Sequence, residues 1–198
     1  MSSANEFHAD LVNGFKADLE ALEVGEVVRK HITTGQPAAL RPIEYYELRR
    51  DVARKFDLHP NSVILVGSCR TGFSLKPERR YRPTRGDSDL DLAIVSADRF
   101  DDYWDSVFRF GNENRAWMKS PGFDNFTRQL FNGWIDPRGL PSDRRFKQAL
   151  EWVGYFNALM RSRKFGARRI TTRLYRTWER LETYQAIMVR RCRDEIGE

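Results

Sequence analysis

The sequence predicts an α+β fold, a small mixed sheet flanked by several helices, and three observations carry that prediction. Two short apolar runs, Val63 to Val66 and the run that follows Asp89 up to Val95, have strand length and are bounded by turn residues. A third segment, Ala167 to Tyr175, alternates: Ile170, Thr172 and Leu174 share one side, and Arg169, Thr171, Arg173 and Tyr175 share the other. Around these lie longer stretches whose apolar residues recur at helical spacing. No internal repeat, low-complexity segment or linker divides the 198 residues. The chain therefore reads as a single domain with helical additions, over about residues 1–58 at the N-terminal side and about 98–198 at the C-terminal side.

Phe7, Leu11, Phe15 and Leu22 recur near one or two helical turns, so about Glu6 to Lys30 is expected to form one amphipathic packing helix, broken at Thr33 to Pro37. Pro42 suits the first turn of a second helix running to about Asp57, with Tyr45, Leu48, Val52 and Phe56 on one face. The unbroken apolar run Val63 to Val66 is that of a strand buried on both faces. Gly72-Phe73-Ser74 is a polar turn suited to open a short helix. The segment Lys76 to Arg85 sets Lys76, Arg79, Arg80, Arg82 and Arg85 against Glu78, and Pro77 and Pro83 inside it argue against helix and central strand alike. It reads either as a mobile arm for phosphates, with Tyr81 available to stack on a base, or as a solvated loop.

Asp98 to Phe110 returns to helical spacing through Phe100, Tyr103, Trp104, Val107 and Phe108, with Gly111 as its end. Asp101, Asp102 and Asp105 lie near its first turn, where the helix dipole favours negative charge, and read as structural. A short helix is expected around Phe123 to Phe131. Trp117, Phe123, Phe126, Phe131 and Trp134 read as core before they read as a base pocket. Ser142-Asp143 suits the N-cap of a long helix to about Lys164, with Phe146, Leu150, Val153, Phe156 and Met160 on one side and Gly166 closing it. Trp178, Leu181, Tyr184, Ile187, Met188 and Cys192 mark a final amphipathic helix.

Hydrophobic content of 40% and charged content of 31% are those of a soluble globular chain. No apolar run approaches the ~18 residues of a membrane span, and no leader pattern opens the sequence, so a cytoplasmic protein without a membrane partner is expected. Cys69 and Cys192 are far apart, and His8, His31 and His59 are isolated, which indicates neither a disulfide framework nor a zinc site. Residues 1–39 hold three cations against six acids, whereas Arg161 to Arg193 hold eleven cations against Glu179 and Glu182, within a net charge of +6. That asymmetry suits an anionic partner such as nucleotide or RNA, or else a solvated basic helix face.

The chemistry concentrates between Ser62 and Ser96. Gly67-Ser68 ends the first strand, and Asp89 and Asp91 open the next run, where two carboxylates two residues apart project from one face at about 7 Å along it. Such carboxylates repel each other unless a hard cation such as Mg²⁺ or Mn²⁺ sits between them, and magnesium characteristically divides its shell between carboxylates and substrate phosphates. Glycine allows backbone close to a phosphate, whose oxygens neighbouring N–H groups and the Ser68 hydroxyl can meet.

Gly67-Ser68 at a strand end, followed by Ser88-Asp89-Leu90-Asp91-Leu92 on the next strand, resembles the signature of the polymerase β-like nucleotidyltransferase superfamily, and of a small bacterial member of it. The resemblance spans Ser62 to Ser96, about 35 of 198 residues. It implies a nucleotidyltransferase-type sheet carrying the active site, Mg²⁺ or Mn²⁺ held by Asp89 and Asp91, and a triphosphate cradle at Gly67 and Ser68. Arg70, Ser88, Lys76 and Arg79 complete the implied substrate-binding set, the basic groups offsetting charge as pyrophosphate leaves. The implied reaction moves a nucleoside monophosphate from a nucleoside triphosphate to a hydroxyl. Its acceptor would be an RNA or tRNA end, another nucleotide as in signalling synthases of phage defence, or a side chain of a partner protein as in the transferases paired with toxins.

The sequence departs from that pattern in two places. The family usually supplies a third carboxylate from a later strand, yet Ala167 to Tyr175 contains no acid. Asp136 is the substitute candidate, although an Asp before a proline is first a turn residue, and Arg173 would then act as a phosphate contact. The loop between the two halves of the signature is also longer and more basic than usual. A second reading therefore stands beside the first: a catalytically degenerate fold of the same type that binds nucleotide or RNA as a regulatory or antitoxin-type module.

Overall fold

The computed structural model describes residues 2–141 and 143–196; Ser142, expected at a helix start, lies outside the described residues. Among the described residues the chain is mixed α+β, with a four-stranded sheet and eight α-helices. The strands are β1 (Val63–Val66), β2 (Leu90–Val95), β3 (Trp134–Ile135) and β4 (Ile170–Tyr175), in spatial order β1-β2-β4-β3. β1 runs antiparallel to β2, β2 parallel to β4, and β3 antiparallel to β4.

The period-2 alternation of each strand sends its side chains into two separate cores. Val63, Leu65, Leu90, Leu92, Ile94, Ile170 and Leu174 enter one core, shared with α3 (Pro42–Phe56), α5 (Ala97–Glu113), α6 (Pro121–Phe131) and α7 (Lys147–Ser162). Ile64, Val66, Ala93, Val95 and Tyr175 enter the other, with α1 (Ser2–Ala21), α2 (Val24–Val28) and α8 (Trp178–Asp194). Helices on both faces explain why β1 is apolar without a break. Asp89, Asp91, Thr171 and Arg173 fall in the alternation of the second face, beneath α1, α2 and α8.

Several element boundaries differ from expectation. The expected helix from Glu6 to Lys30 is two: Glu23 is extended (φ −64°, ψ 147°) between α1 and α2, and α2 continues into a π turn over Arg29–Thr33. Val12, Phe15 and Leu19 carry the buried stripe of α1, while Phe7 is 58% exposed. The short helix α4 (Ser68–Thr71) begins at the Gly-Ser pair, and Gly72, in the left-handed region at φ 87°, ends it rather than opening it. α5 runs through Gly111, which is buried where a side chain would press on Met118 at 3.4 Å. Asp143 caps a 3-10 turn, Arg144–Phe146, and α7 starts after it at Lys147 and ends at a left-handed Arg163, before Gly166. No helix among the described residues is long and apolar enough to cross a membrane.

Candidate functional site

The candidate site lies at the end of the sheet where β1 stops and β2 and β4 begin. Register places Val66, Asp91 and Thr171 side by side across the three strands. Immediately after Val66 the chain turns at Gly67 with φ 70° and ψ −162°, a conformation that L side chains rarely adopt. A β-carbon built on Gly67 would fall 2.6 Å from Asp91 Oδ2. Glycine is thus required twice over, for its backbone and for the room it leaves the carboxylate.

Asp91 is half-buried, and its Oδ1 accepts a hydrogen bond from the Thr171 hydroxyl. Asp89, one residue before β2, is exposed and makes no hydrogen bond or ion pair among the described residues. The Ser68 hydroxyl, beside Gly67, likewise has no partner among them. Register sets Arg169 next to Asp89 on the neighbouring strand, since Leu90 pairs Ile170 and the Leu90 N–H donates to the Arg169 carbonyl at 2.8 Å. Arg169 is exposed and unpaired among the described residues. Arg138 also lies near enough to Asp91 for the carboxylate to favour its charged form, after the larger effect of Asp136.

Behind these groups Cys69 is fully buried, with Sγ 3.7 Å from Thr84 Oγ1 and 3.6 Å from the Ser88 carbonyl. Burial pushes its thiol pKa up, which fits a packing role and disfavours a nucleophilic one. The Ser88 hydroxyl accepts from the Arg85 N–H at 2.9 Å and so shapes the turn into β2.

Other residues of the expected set are committed elsewhere. Arg70 is 4% exposed; its Nη1 donates to the Gly35 carbonyl at 2.8 Å and its Nε to the His31 carbonyl at 3.2 Å. Desolvation pulls its pKa below the ordinary arginine value, and the side chain fastens the end of the π turn to α4 instead of reaching a phosphate. Asp136 binds Arg138 through both carboxylate oxygens, at 2.9 and 2.7 Å, and accepts from the Arg138 N–H at 3.0 Å, closing the 3-10 turn Pro137–Gly139. Among the described residues no group of three His, Cys, Asp or Glu side chains converges, so Asp136 is not gathered with Asp89 and Asp91. Arg173 shares the Asp91 face but lies two residues further along β4, opposite Ala93. Its guanidinium stacks over Trp134 at 4.7 Å and Tyr184 at 5.3 Å.

The basic segment is a docked loop and not a free arm. Backbone hydrogen bonds close it, Tyr81 N–H donating to the Ser74 carbonyl at 2.8 Å and Ser74 N–H to the Arg82 carbonyl at 3.0 Å. Tyr81 packs edge-on to Phe15 and tilted against Phe73, with its pKa pushed up to about 12 by burial, so it is unavailable to a base. Arg80 pairs with Glu195 and donates to the Arg191 carbonyl at 3.2 Å, holding the loop to the end of α8. Lys76, Arg79, Arg82 and Arg85 remain exposed, with side chains unpaired among the described residues. The aromatic set divides likewise: Trp117, Phe123 and Phe126 pack together on one side of the sheet, Trp134 lies on the other, and Phe131 is 89% exposed.

Thr171 and Arg169 are the site residues that sequence reasoning missed. The alternation of Ala167 to Tyr175 put Thr171 and Arg169 on the correct face, but only strand register shows which carboxylate each one meets. The chain matches no protein-family model, no curated protein and no solved structure.

Proposed function

We propose that this chain is a divalent-metal-dependent nucleotidyltransferase, moving a nucleoside monophosphate from a nucleoside triphosphate to a hydroxyl acceptor with release of pyrophosphate. One observation carries the reading: Gly67 is held at φ 70° with Asp91 Oδ2 in the place its side chain would take, on the strand face that also presents Asp89. The donor set suits Mg²⁺ or Mn²⁺, because it consists of hard carboxylate oxygens, one of them on the exposed Asp89. Asp89 and Asp91 would hold the ion, which when bound supplies charge neutralisation at the triphosphate. Backbone N–H groups of the Gly67-Ser68 turn and the free Ser68 hydroxyl would donate to the terminal phosphates. Arg169, beside Asp89, offsets the negative charge that grows on the departing pyrophosphate. RNA, another nucleotide or a partner protein is the acceptor.

A second reading is favoured by a specific observation. The residue facing Asp91 from β4 is Thr171, and Asp136 is bound to Arg138, so among the described residues no third carboxylate is gathered with Asp89 and Asp91 to activate an acceptor hydroxyl. On that reading the site binds metal and nucleotide without turnover, as a regulatory or antitoxin-type module.

Purified protein incubated with each of four α-³²P-labelled nucleoside triphosphates, Mg²⁺ or Mn²⁺, and bulk RNA and protein separates the two. Label transferred by the native chain and lost in Asp89→Ala/Asp91→Ala establishes the transferase, and the labelled species names the acceptor. Metal-dependent triphosphate binding without transfer selects the binding module.

A further inference from the structure

At the opposite end of the sheet from Gly67 and Asp91, where β2 and β4 stop, a groove of about 690 Å³ opens between the C-terminal end of α6 and the first half of α8. Phe100, Leu130, Tyr184 and Ile187 form its apolar lining, and Phe131 stands at its wall with 89% of its surface exposed. The apolar surface continues out of the groove along the seam between α5 and α6. One turn on from Phe100, Trp104 stacks on Phe126 at 6.3 Å, one turn before Leu130; Phe108 follows, and both Trp104 and Phe108 are exposed. Scattered apolar side chains are ordinary on a surface, whereas a contiguous run beside a groove marks an interaction site. The charges around the groove are balanced. Arg176 is paired with Asp101, while Glu179 and Arg180 carry opposite charges on adjacent residues and have no ion-pair partner among the described residues. The stem of Arg180 is packed in place: a β-carbon on Gly133, at φ 77°, would fall 2.8 Å from its Cβ, Cγ and Cδ.

We infer that this face is where two copies of the chain associate about a two-fold axis, Phe131 of each copy seated in the groove of the other. Two features select a second copy over other occupants. A two-fold contact needs a surface complementary to itself, and here the protruding ring and the groove adjoin on one surface. The chain also carries a net charge of +6, so like charge opposes association elsewhere on the molecule. On this face Glu179 of one copy meets the partner's Arg180, and the symmetry repeats the pair on the other side of the axis. Aromatic side chains bury about 150–250 Å² each, so Phe131, Trp104 and Phe108 together with the groove supply a substantial part of the roughly 800 Å² per partner of a standard interface. The inference is independent of the nucleotide reading, because it leaves the corner formed by Gly67 and Asp91 open at the far end of each sheet.

Sedimentation velocity of the full chain over a concentration series tests it. The native chain is expected to pass from the mass of one chain to twice that mass. Phe131→Asp and Ile187→Glu should each weaken association at least about thirtyfold, as for the loss of an apolar anchor at the centre of an interface. Far-ultraviolet circular dichroism of each variant separates a lost interface from a lost fold, and the exposure of Phe131 makes its variant the safer of the two. Arg180→Glu should weaken association about tenfold, and Glu179→Arg/Arg180→Glu should recover it, since the reversed pair is again complementary across the axis. A native chain that stays monomeric at every concentration overturns the inference and assigns the groove to a different partner or to an apolar small molecule. A dimer that Phe131→Asp and Ile187→Glu leave intact overturns it too, and a double reversal that stays weak overturns the two-fold pairing of Glu179 with Arg180.

Discussion

Gly67 and Asp91 share one corner of the sheet: the position a Gly67 β-carbon would take lies 2.6 Å from Asp91 Oδ2 and 3.5 Å from its Cγ. Asp91 cannot simply swing aside, because Thr171 holds its other oxygen. Gly67→Ala should therefore displace the carboxylate and strain the backbone at φ 70°, lowering stability by about 1–3 kcal/mol. Chemical denaturation measures the stability, and metal-dependent triphosphate binding measures the site. Binding should fall much further than the stability loss accounts for.

Arg70 provides the sharpest contrast between a phosphate contact and a structural side chain. Arg70→Met leaves the carbonyls of His31 and Gly35 without their donor inside the protein, at a cost of about 1–3 kcal/mol. The melting temperature should drop while triphosphate affinity, measured on the folded fraction, stays near native. The reverse pattern would return Arg70 to the substrate-binding set.

Within the basic loop, exposed and buried cations should behave differently. Replacing Lys76, Arg79, Arg82 and Arg85 together by Gln should change stability by no more than about 0.5 kcal/mol per site, as for ordinary surface positions. If RNA is the acceptor, the same variant should flatten the salt dependence of RNA binding by roughly 0.7 in log–log slope for each phosphate contact removed. Arg80→Gln, which frees the loop from Glu195 and the Arg191 carbonyl, should instead loosen the fold, and limited proteolysis between residues 76 and 85 would register it.

Buried tyrosines give the chain a predictable alkaline limit. Burial pushes Tyr81 and Tyr155 up to about 12 from an ordinary 10.0, and raises Tyr103 and Tyr175 as well. The folded state thus keeps protons that the unfolded chain releases. Stability from these groups is complete below pH 10 and is lost as the pH climbs toward 12. Tyrosinate absorbance should show part of the seven tyrosines titrating early and the remainder appearing together with unfolding. Independent titration of all seven with the fold intact would contradict the burial of these rings.

Much of the sheet was legible in the chain itself, because strand and helix periodicities are local properties. The apolar run Val63 to Val66, the Gly-Ser turn, the Asp89 and Asp91 spacing and the alternation of Ala167 to Tyr175 all appear where local side-chain patterning placed them. The same patterning could not show that Glu23 is extended and divides the first helix, because the alternative is decided by how α2 packs against α8. The fates of the basic residues were also beyond it. Arg70, Arg80 and Arg79 are chemically alike in the sequence, yet one is buried on backbone carbonyls, one pins the loop to α8, and one is open to solvent. What the sequence determined alone was therefore three of the four strands and the carboxylate pair, through short-range periodicity; the two-residue β3 (Trp134–Ile135) is too short to leave such a signal. Strand register and burial decided the rest. Only the pairing of β2 with β4 sets Thr171 against Asp91, and only the close packing of the turn shows why position 67 has to be glycine.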